Sequence, residues 1–570
     1  MMNFTLNLKK WLTPSKIAGL MIALFLAWFI ITFLVYPNMS LLLKTFIKDG
    51  GFTLEPFEQM WNSNKALKSL FNSFLLAFSL MITVNIIGVL LVLVTEYFDV
   101  KGAKLLKIGY FSTLVCSGII LVTGYQYVYG PTGVITHLMQ SIFPDLNPSW
   151  FTGYGAVLFV MTFAITSNHI IFLSTALKRI DYQTIEAARS MGASEFRIIT
   201  KVLLPALKPS LVAITILNFY TGITALSSPL IQGGDDFQSI NSIILVLSGS
   251  EYSRGVAAAL SIILGLVTFV VLFFLMRKES SENYTAISKV STPLQKRKIR
   301  NKIINAVVHV AAYLLFVIYV LPVVIIVVYS FTNSYSMDNG IQSLDLSNYL
   351  YVFSQPNGYK PYLVSLLYCL GASVLVVAFC LLVARILHKG KSRLGKKLLE
   401  FAMLIPWFLP HSLMALGLIL TYNTPNLLLG NNVLVGSVWL MLIGYIVIQL
   451  PFSIRLIKAA FFGIDSSLEE AARNMGATKF YTFRRVILPI ILPTALAVIA
   501  LNFNGLLVNY DVSAFLYHPL FEPLSIIISS TKSVFTGSSE VDTRAVSMVY
   551  SVVIMIISSI SLYFIYGKKR

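Results

Sequence analysis

The chain has few charged residues and almost no cysteine. Only 12% of its 570 residues are Asp, Glu, Lys or Arg, whereas 56% are hydrophobic. This composition lies outside the range of soluble domains, and the apolar runs reach about 20 residues, the length of a membrane-spanning helix. Cys116, Cys369 and Cys380 fall inside such runs without CxxC or Cys/His spacing, so we interpret them as small core residues. The sequence predicts an all-α polytopic membrane protein.

Acidic residues are also scarce, with 24 Asp and Glu against 43 Lys and Arg and a net charge of +19. Lys and Arg lie mostly in short connections between apolar runs, as in the cytoplasmic loops of membrane proteins. This placement argues against nucleic acid as a partner and for a lipid bilayer. The basic N-terminal arm, the basic segment 277–302 and the tail 567–570 predict that both termini face the cytoplasm.

The apolar runs predict two halves of six spans, about 12 transmembrane helices in all. The first half occupies residues 1–276, a basic cytoplasmic linker follows at 277–302, and the second half occupies 303–570. The predicted spans are 17–37, 70–94, 105–127, 154–176, 209–231 and 255–276, then 303–329, 362–387, 399–421, 434–454, 491–513 and 545–566. An even number of spans per half gives both halves the same orientation.

One polar segment occurs twice, displaced by 284 residues. Residues 186–193 read Glu-Ala-Ala-Arg-Ser-Met-Gly-Ala, and residues 470–477 read Glu-Ala-Ala-Arg-Asn-Met-Gly-Ala. A displacement of about half the chain indicates an internal duplication. Alternation of the spans places the two surrounding loops, 177–208 and 455–490, on the cytoplasmic side.

Local chemistry predicts the shape of each loop. Asp181 is a favoured N-cap and Gly192 a favoured residue just beyond a helix, so the first loop should form a helix, a left-handed turn and a second helix. Asp465 and Gly476 stand at the same offsets in the second copy. There, Ser466 and Glu469, three residues apart, also fit a capping box.

The Glu-Ala-Ala segment, followed by three residues, Gly-Ala and a proline-containing exit, resembles the coupling loop of type I binding-protein-dependent ABC importer permeases. The resemblance implies two tandem six-helix transmembrane domains in one chain. It also implies that the glutamates contact a cytoplasmic ATPase and that the glycines set the bend. The ATPase-coupling positions carried over are Glu186, Ala187, Ala188, Arg189 and Gly192, with Glu470, Ala471, Ala472, Arg473 and Gly476.

The chain itself has no phosphate-binding loop. Its Gly-Lys-Ser at 390–392 has Arg385 where a P-loop needs glycine. We therefore expect a transport subunit without an ATPase site or cofactor of its own, with ATP and Mg²⁺ bound by two copies of a separate ATPase. The outer connections, about 30 residues long, are too short for a ligand-binding domain. An extracytoplasmic substrate-binding protein is thus the expected second partner.

Polar residues inside spans are candidates for a substrate path. Equivalent fifth spans supply Asn218, Tyr220, Asn502, Asn504 and Asp511, although hydrogen bonding between helices is an equal alternative for each asparagine. His169 and His411 have no ligand-spaced partner in sequence, so we interpret them as packed side chains and predict no metal site. Pro406 and Pro410 predict a kink in the ninth span, while the third span has no proline.

Several alternatives remain open. Overall likeness to fused permeases favours ferric iron, with thiamine, 2-aminoethylphosphonate and polyamine as further substrates. A secondary transporter with parallel six-helix halves would need intramembrane carboxylates for gradient coupling, of which Asp511 and Glu400 are the nearest examples. The expected location is the bacterial inner membrane. Lys178-Arg179 in the first half stands where Phe462-Gly463 stands in the second, which predicts unequal docking faces.

Overall fold

The computed structural model describes residues 14–116, 118–178, 180–281, 295–299, 301–332, 343–389, 392–529 and 543–566. Within these ranges the chain is almost entirely helical, with one small antiparallel hairpin, Ile47–Lys48 with Gly51–Phe52. Nine helices in this part of the chain are long and apolar enough to cross a membrane, and twelve spans result if three bent pairs each count as one. The predicted all-α polytopic fold is confirmed. Predictions for Arg179, 282–294, 390–391 and 567–570 concern residues outside the described ranges.

The spans follow one another through short connecting helices. The first begins within the helix Pro14–Ile30. The continuous spans are Gly19–Phe46, Asn64–Tyr97, Glu195–Ile223, Arg254–Phe274, Lys302–Tyr329, Pro356–His388, Val438–Phe462, Phe480–Leu507 and Arg544–Ser561. The bent pairs are Ala103–Val115 with Ile119–Ile142, Gly153–Ile165 with Ser167–Leu177, and Arg393–Phe408 with His411–Tyr422. The connecting helices are Glu55–Trp61, Tyr182–Ser190, Ser227–Gln232, Ile240–Ser248, Ser347–Ser354, Ser466–Asn474, Ser513–Leu516 and Leu524–Ser529.

The third span of each half is broken near its middle. The ninth span turns by 105° ahead of His411, which confirms the kink predicted from Pro410. The span predicted over 105–127 is broken as well, because its two helices, Ala103–Val115 and Ile119–Ile142, meet at an angle of 114°. At this break Gly118 has φ +66°, a conformation that glycine adopts readily because it has no side chain. The chain therefore turns here without a proline. The two halves therefore share the break but make it with different residues.

The fifth span of each half starts much earlier than predicted. The observed helices are Glu195–Ile223 and Phe480–Leu507, rather than 209–231 and 491–513. Pro205 and Pro489 do not end these helices because each follows a π-helical turn and sits in the first turn of the next α-helical stretch. The second arm of each repeated loop is consequently continuous with a span.

Each half packs its first span against the other half. The hydroxyl of Tyr422, in the ninth span, donates to the carbonyl of Thr32 in the first span. In the reciprocal contact, the hydroxyl of Tyr110 in the third span donates to the carbonyl of Ala312 in the seventh, at 2.8 Å. Buried side chains from both halves join in one apolar cluster. The halves are thus interlocked and share a core.

Candidate docking loops and central path

The first repeated loop forms the predicted helix and left-handed turn. The helix Tyr182–Ser190 begins after Asp181, whose carboxylate accepts a hydrogen bond from the backbone two residues on, at 3.0 Å. Gly192 has φ +82°. Beyond it, the Ala193 N–H donates to the Ala188 carbonyl at 3.1 Å, the backbone bond of a Schellman turn.

The second loop repeats this geometry residue for residue. The helix Ser466–Asn474 follows Asp465, and Gly476 also has φ +82°. The Ala477 N–H donates to the Ala472 carbonyl at 3.0 Å. Both loops therefore share one turn geometry, and each is joined directly to the fifth span of its half.

The capping box predicted for the second loop is not the arrangement found. Asp465 is the N-cap, and hydrogen bonds from Ser467 hold the pKa of its carboxyl below the ordinary value. Ser466 is therefore already the first helical residue. The Glu469 carboxylate instead meets the guanidinium of Arg385 in the eighth span, with Nη1 and Oε1 2.7 Å apart.

A charge network holds the first loop together. The Glu195 carboxylate, at the start of the second arm, accepts a hydrogen bond from the Tyr97 hydroxyl at 3.0 Å. Arg189 lies between this carboxylate, 3.4 Å away, and that of Glu186, with which it forms a closer ion pair. Arg297 from the linker also reaches Glu195, with Nε and Oε1 2.7 Å apart. The sequence interpretation missed the contacts of Tyr97 and Arg297 with Glu195 because these residues lie far apart along the chain.

The second loop is held differently. Glu469, with a side chain only 8% exposed, is paired with Arg385 of the same half. Its counterpart in the first copy is Ile185, which is fully buried among apolar side chains. Conversely, Lys479 stands where the first copy has Glu195. Alignment of the two copies at the 284-residue displacement reveals this reversal of charge. The reversal is the feature of the sequence that indicates different anchoring of the two loops.

Both loops expose large apolar side chains beside their acidic residues. Met191 is 82% exposed and Met475 81%, and Phe196 and Phe480 are similarly open. Such side chains mark a surface that another protein can cover. Of the repeated positions, Ala187, Gly192, Glu470, Ala471, Arg473 and Gly476 are exposed, Glu186, Ala188 and Arg189 are half-buried, and Ala472 is buried.

Two of the candidate path residues lie inside the helix packing of their own halves. Asn218 and Asn502 are each 1% exposed. The Asn502 side chain donates to the Ser453 hydroxyl of the neighbouring span at 2.7 Å. This contact fits the interhelical alternative better than a path-lining role. Asn504 is half-buried, with its side-chain oxygen enclosed and not hydrogen-bonded.

The remaining candidates come from both halves. Asp511, in the turn after the eleventh span, lies within electrostatic range of Tyr220 of the fifth span and of His411 at the break of the ninth. All three side chains are only partly exposed. His411, which we interpreted from sequence as merely packed, therefore has an acidic neighbour that no sequence spacing revealed.

His169 has the packed, hydrogen-bonded environment predicted for it. It is buried, and its Nε2 lies 3.0 Å from the Asn85 side-chain oxygen. The three cysteines are buried as well. Within the described part of the chain, no three His, Cys, Asp or Glu side chains converge as a metal site would require.

Interlocked helical halves with two exposed loops define a polytopic membrane protein. The family described as "Binding-protein-dependent transport system inner membrane component" matches residues 377–568. A probable ABC transporter permease protein of Sinorhizobium fredii is 38% identical over 536 residues, covering 94% of this chain and 93% of its own. The chain belongs to this family of ABC transporter permeases. Its membership sets aside the secondary-transporter alternative.

Two further similarities are more distant. A ferric transport system permease protein of Actinobacillus pleuropneumoniae is 22% identical over 492 residues, covering 85% of this chain and 69% of its own. A bacterial ABC transporter that imports alginate is 19% identical, with a TM-score of 0.39 over 49% of this chain and 99% of its own. By family, the chain is a multi-pass inner-membrane transport component.

Proposed function

We propose that this permease moves a small solute, delivered by an extracytoplasmic binding protein, into the cytoplasm. Two copies of a cytoplasmic ATPase would drive it, one at each repeated loop. The observation that carries the proposal is the pair of loops with the same turn, exposed apolar side chains and a direct helical connection to a fifth span. Because each second arm continues into a span, a displacement at the turn would reach the span without an intervening loop.

The loop glutamates provide the test. We expect Glu186→Ala combined with Glu470→Ala to abolish co-purification of the ATPase and ATP-driven uptake in proteoliposomes. The matched control is Glu251→Ala combined with Glu522→Ala, which removes two exposed glutamates outside the loops. Retained ATPase binding and uptake in the loop variant would refute the docking role.

We further propose that the substrate passes the polar region around Tyr220, Asn504 and Asp511. Asp511→Asn and Tyr220→Phe should lower uptake while leaving ATPase co-purification unchanged, because these residues lie away from the loops. Similarity to ferric permeases makes ferric iron the first substrate to test. Thiamine, 2-aminoethylphosphonate and polyamine follow. Uptake assays with each candidate substrate and the purified binding protein decide among these substrates. If neither Asp511→Asn nor Tyr220→Phe lowered uptake, the path would lie elsewhere.

A further inference from the structure

The end of the linker between the halves is bound to the first half as an extended segment. Residues 295–299 lie beside the loop that follows the second span. The Arg297 N–H donates to the Tyr97 carbonyl at 2.8 Å, and the Asp99 N–H donates to the Arg297 carbonyl at 2.7 Å. Next to it, the Lys296 ammonium donates to the Thr95 carbonyl at 2.7 Å. The linker therefore makes specific contacts here and does more than join two domains.

The side chain of Arg297 extends this contact into the first docking loop. Its guanidinium pairs with Glu195, whose other oxygen receives the Tyr97 hydroxyl. Arg189 joins Glu195 to Glu186, the residue proposed to meet the ATPase. A continuous run of charges thus leads from the docking face to the linker. The Arg297 and Glu195 side chains are 24% and 38% exposed, so the pair is partly shielded from water.

The same linker end leads directly into the seventh span. This helix begins at Lys302 and packs on the first half near Lys101. The Lys101 N–H donates to His309 Nε2 at 3.2 Å, and the Tyr313 hydroxyl donates to the Lys101 carbonyl at 2.9 Å. His309 Nδ1 lies 2.8 Å from the Asn305 carbonyl, which fixes Nδ1 as the protonated nitrogen and Nε2 as the acceptor. The start of the second half is therefore fastened where the linker ends.

The second docking loop cannot form the same contact. In the sequence, Lys479 stands at the position equivalent to Glu195, so this position offers no carboxylate to a linker arginine. That loop is anchored by Arg385, which belongs to its own half. One loop is thus linked across the halves and the other within its half.

We propose that Arg297 is a positioning residue for coupling, which fastens the first docking loop to the seventh span so that loop movement reaches the second half. This inference rests on the proposed ATPase docking. It assigns the linker a mechanical role in addition to chain connection.

Hydrogen exchange and transport stoichiometry test the proposal together. Arg297→Gln should raise amide exchange in residues 182–198 by up to about fivefold, the weight of a partly exposed ion pair, and leave residues 466–482 unchanged. It should also lower the solute transported per ATP hydrolysed while the ATPase still co-purifies. Arg297→Lys should recover most of both effects. Lys298→Gln removes one charge from an exposed neighbour and is the matched control.

The outcomes separate the two proposals. Unchanged amide exchange in the first docking loop, or an equal change with Lys298→Gln, would overturn the proposal that Arg297 fastens this loop. Raised exchange with unaltered transport per ATP would overturn its mechanical role. If no ATPase binds the unmodified protein, the proposed function fails, and the exchange result still judges the contact between linker and loop.

Discussion

The two loop glycines can be tested free of steric effects. Gly192 and Gly476 both have φ +82°, and a Cβ built on either meets no heavy atom within 4 Å. Alanine therefore adds only the backbone strain of the left-handed region, roughly 1–2 kcal/mol per position. Strain of that size lowers the population of the native turn by a factor of about 5 to 30 relative to competing conformations.

We expect Gly192→Ala and Gly476→Ala each to weaken ATPase co-purification and ATP-driven uptake, with unchanged membrane insertion. Asparagine enters the left-handed region more readily than alanine, so an asparagine variant should retain more activity at either position. Valine should retain the least, because it is β-branched. This order, rather than side-chain size, identifies backbone strain as the cause.

Two other glycines serve as controls. Gly153 has φ +77° and Gly436 φ +79°, and neither has a heavy atom within 4 Å of a built Cβ. Alanine at these positions adds similar strain away from the docking loops, so ATPase binding should be unaffected. Equal losses at all four glycines would mean general destabilisation, and full activity of the loop alanine variants would refute a requirement for the turn.

Three further predictions concern the packing around the loops and spans. Arg385→Met should lower the free energy of unfolding by about 3 kcal/mol because it removes the charge facing buried Glu469, and adding Glu469→Leu should restore most of the lost thermal stability. Gly88→Ala places a Cβ 2.3 Å from the His169 ring and should cost about 1–3 kcal/mol in the same melting assay, with partial rescue by His169→Ala. The pKa of Asp465 is lower in the folded protein than in the unfolded chain. The stabilisation that its carboxylate gives the helix is therefore complete above the ordinary pKa and is lost as the pH falls through the lowered pKa. Hydrogen exchange of its helix should show that acid loss in the native chain and a smaller loss in Asp465→Ala, in which only the Glu469–Arg385 pair still titrates.

Sequence reasoning was most accurate for local features, such as helix caps and turns, which depend on residues close together in the chain. The caps at Asp181 and Asp465 and the turns at Gly192 and Gly476 depend on side chains only a few positions away, and the structure has each where it was expected. The apolar runs likewise predicted the spans. Two features of the spans were predicted less well. The fifth span of each half begins earlier than predicted, and the third span breaks at Gly118 without a proline.

What the sequence did not predict depends on contacts across long distances in the chain. Glu195 meets Tyr97 and Arg297, which lie about a hundred residues away on either side. Asp511 and His411 both belong to the second half but lie a hundred positions apart in the chain, and Tyr220 comes from the other half. No local periodicity or capping rule contains such pairings. A comparison of charge between the two copies would have singled out Glu195 and Lys479, but not their partners.

The duplication explains why the two loops look alike, and the anchors explain how they differ. The two turns have the same backbone geometry, and each exposes a methionine and a phenylalanine that a partner could cover. Anchoring residues determine which part of the permease moves with each loop. Arg385 ties the second loop to its own eighth span, whereas Arg297 ties the first loop to the chain that enters the other half. Two identical ATPases acting on these loops would therefore move unequal parts of the permease, even though the docking surfaces share one motif.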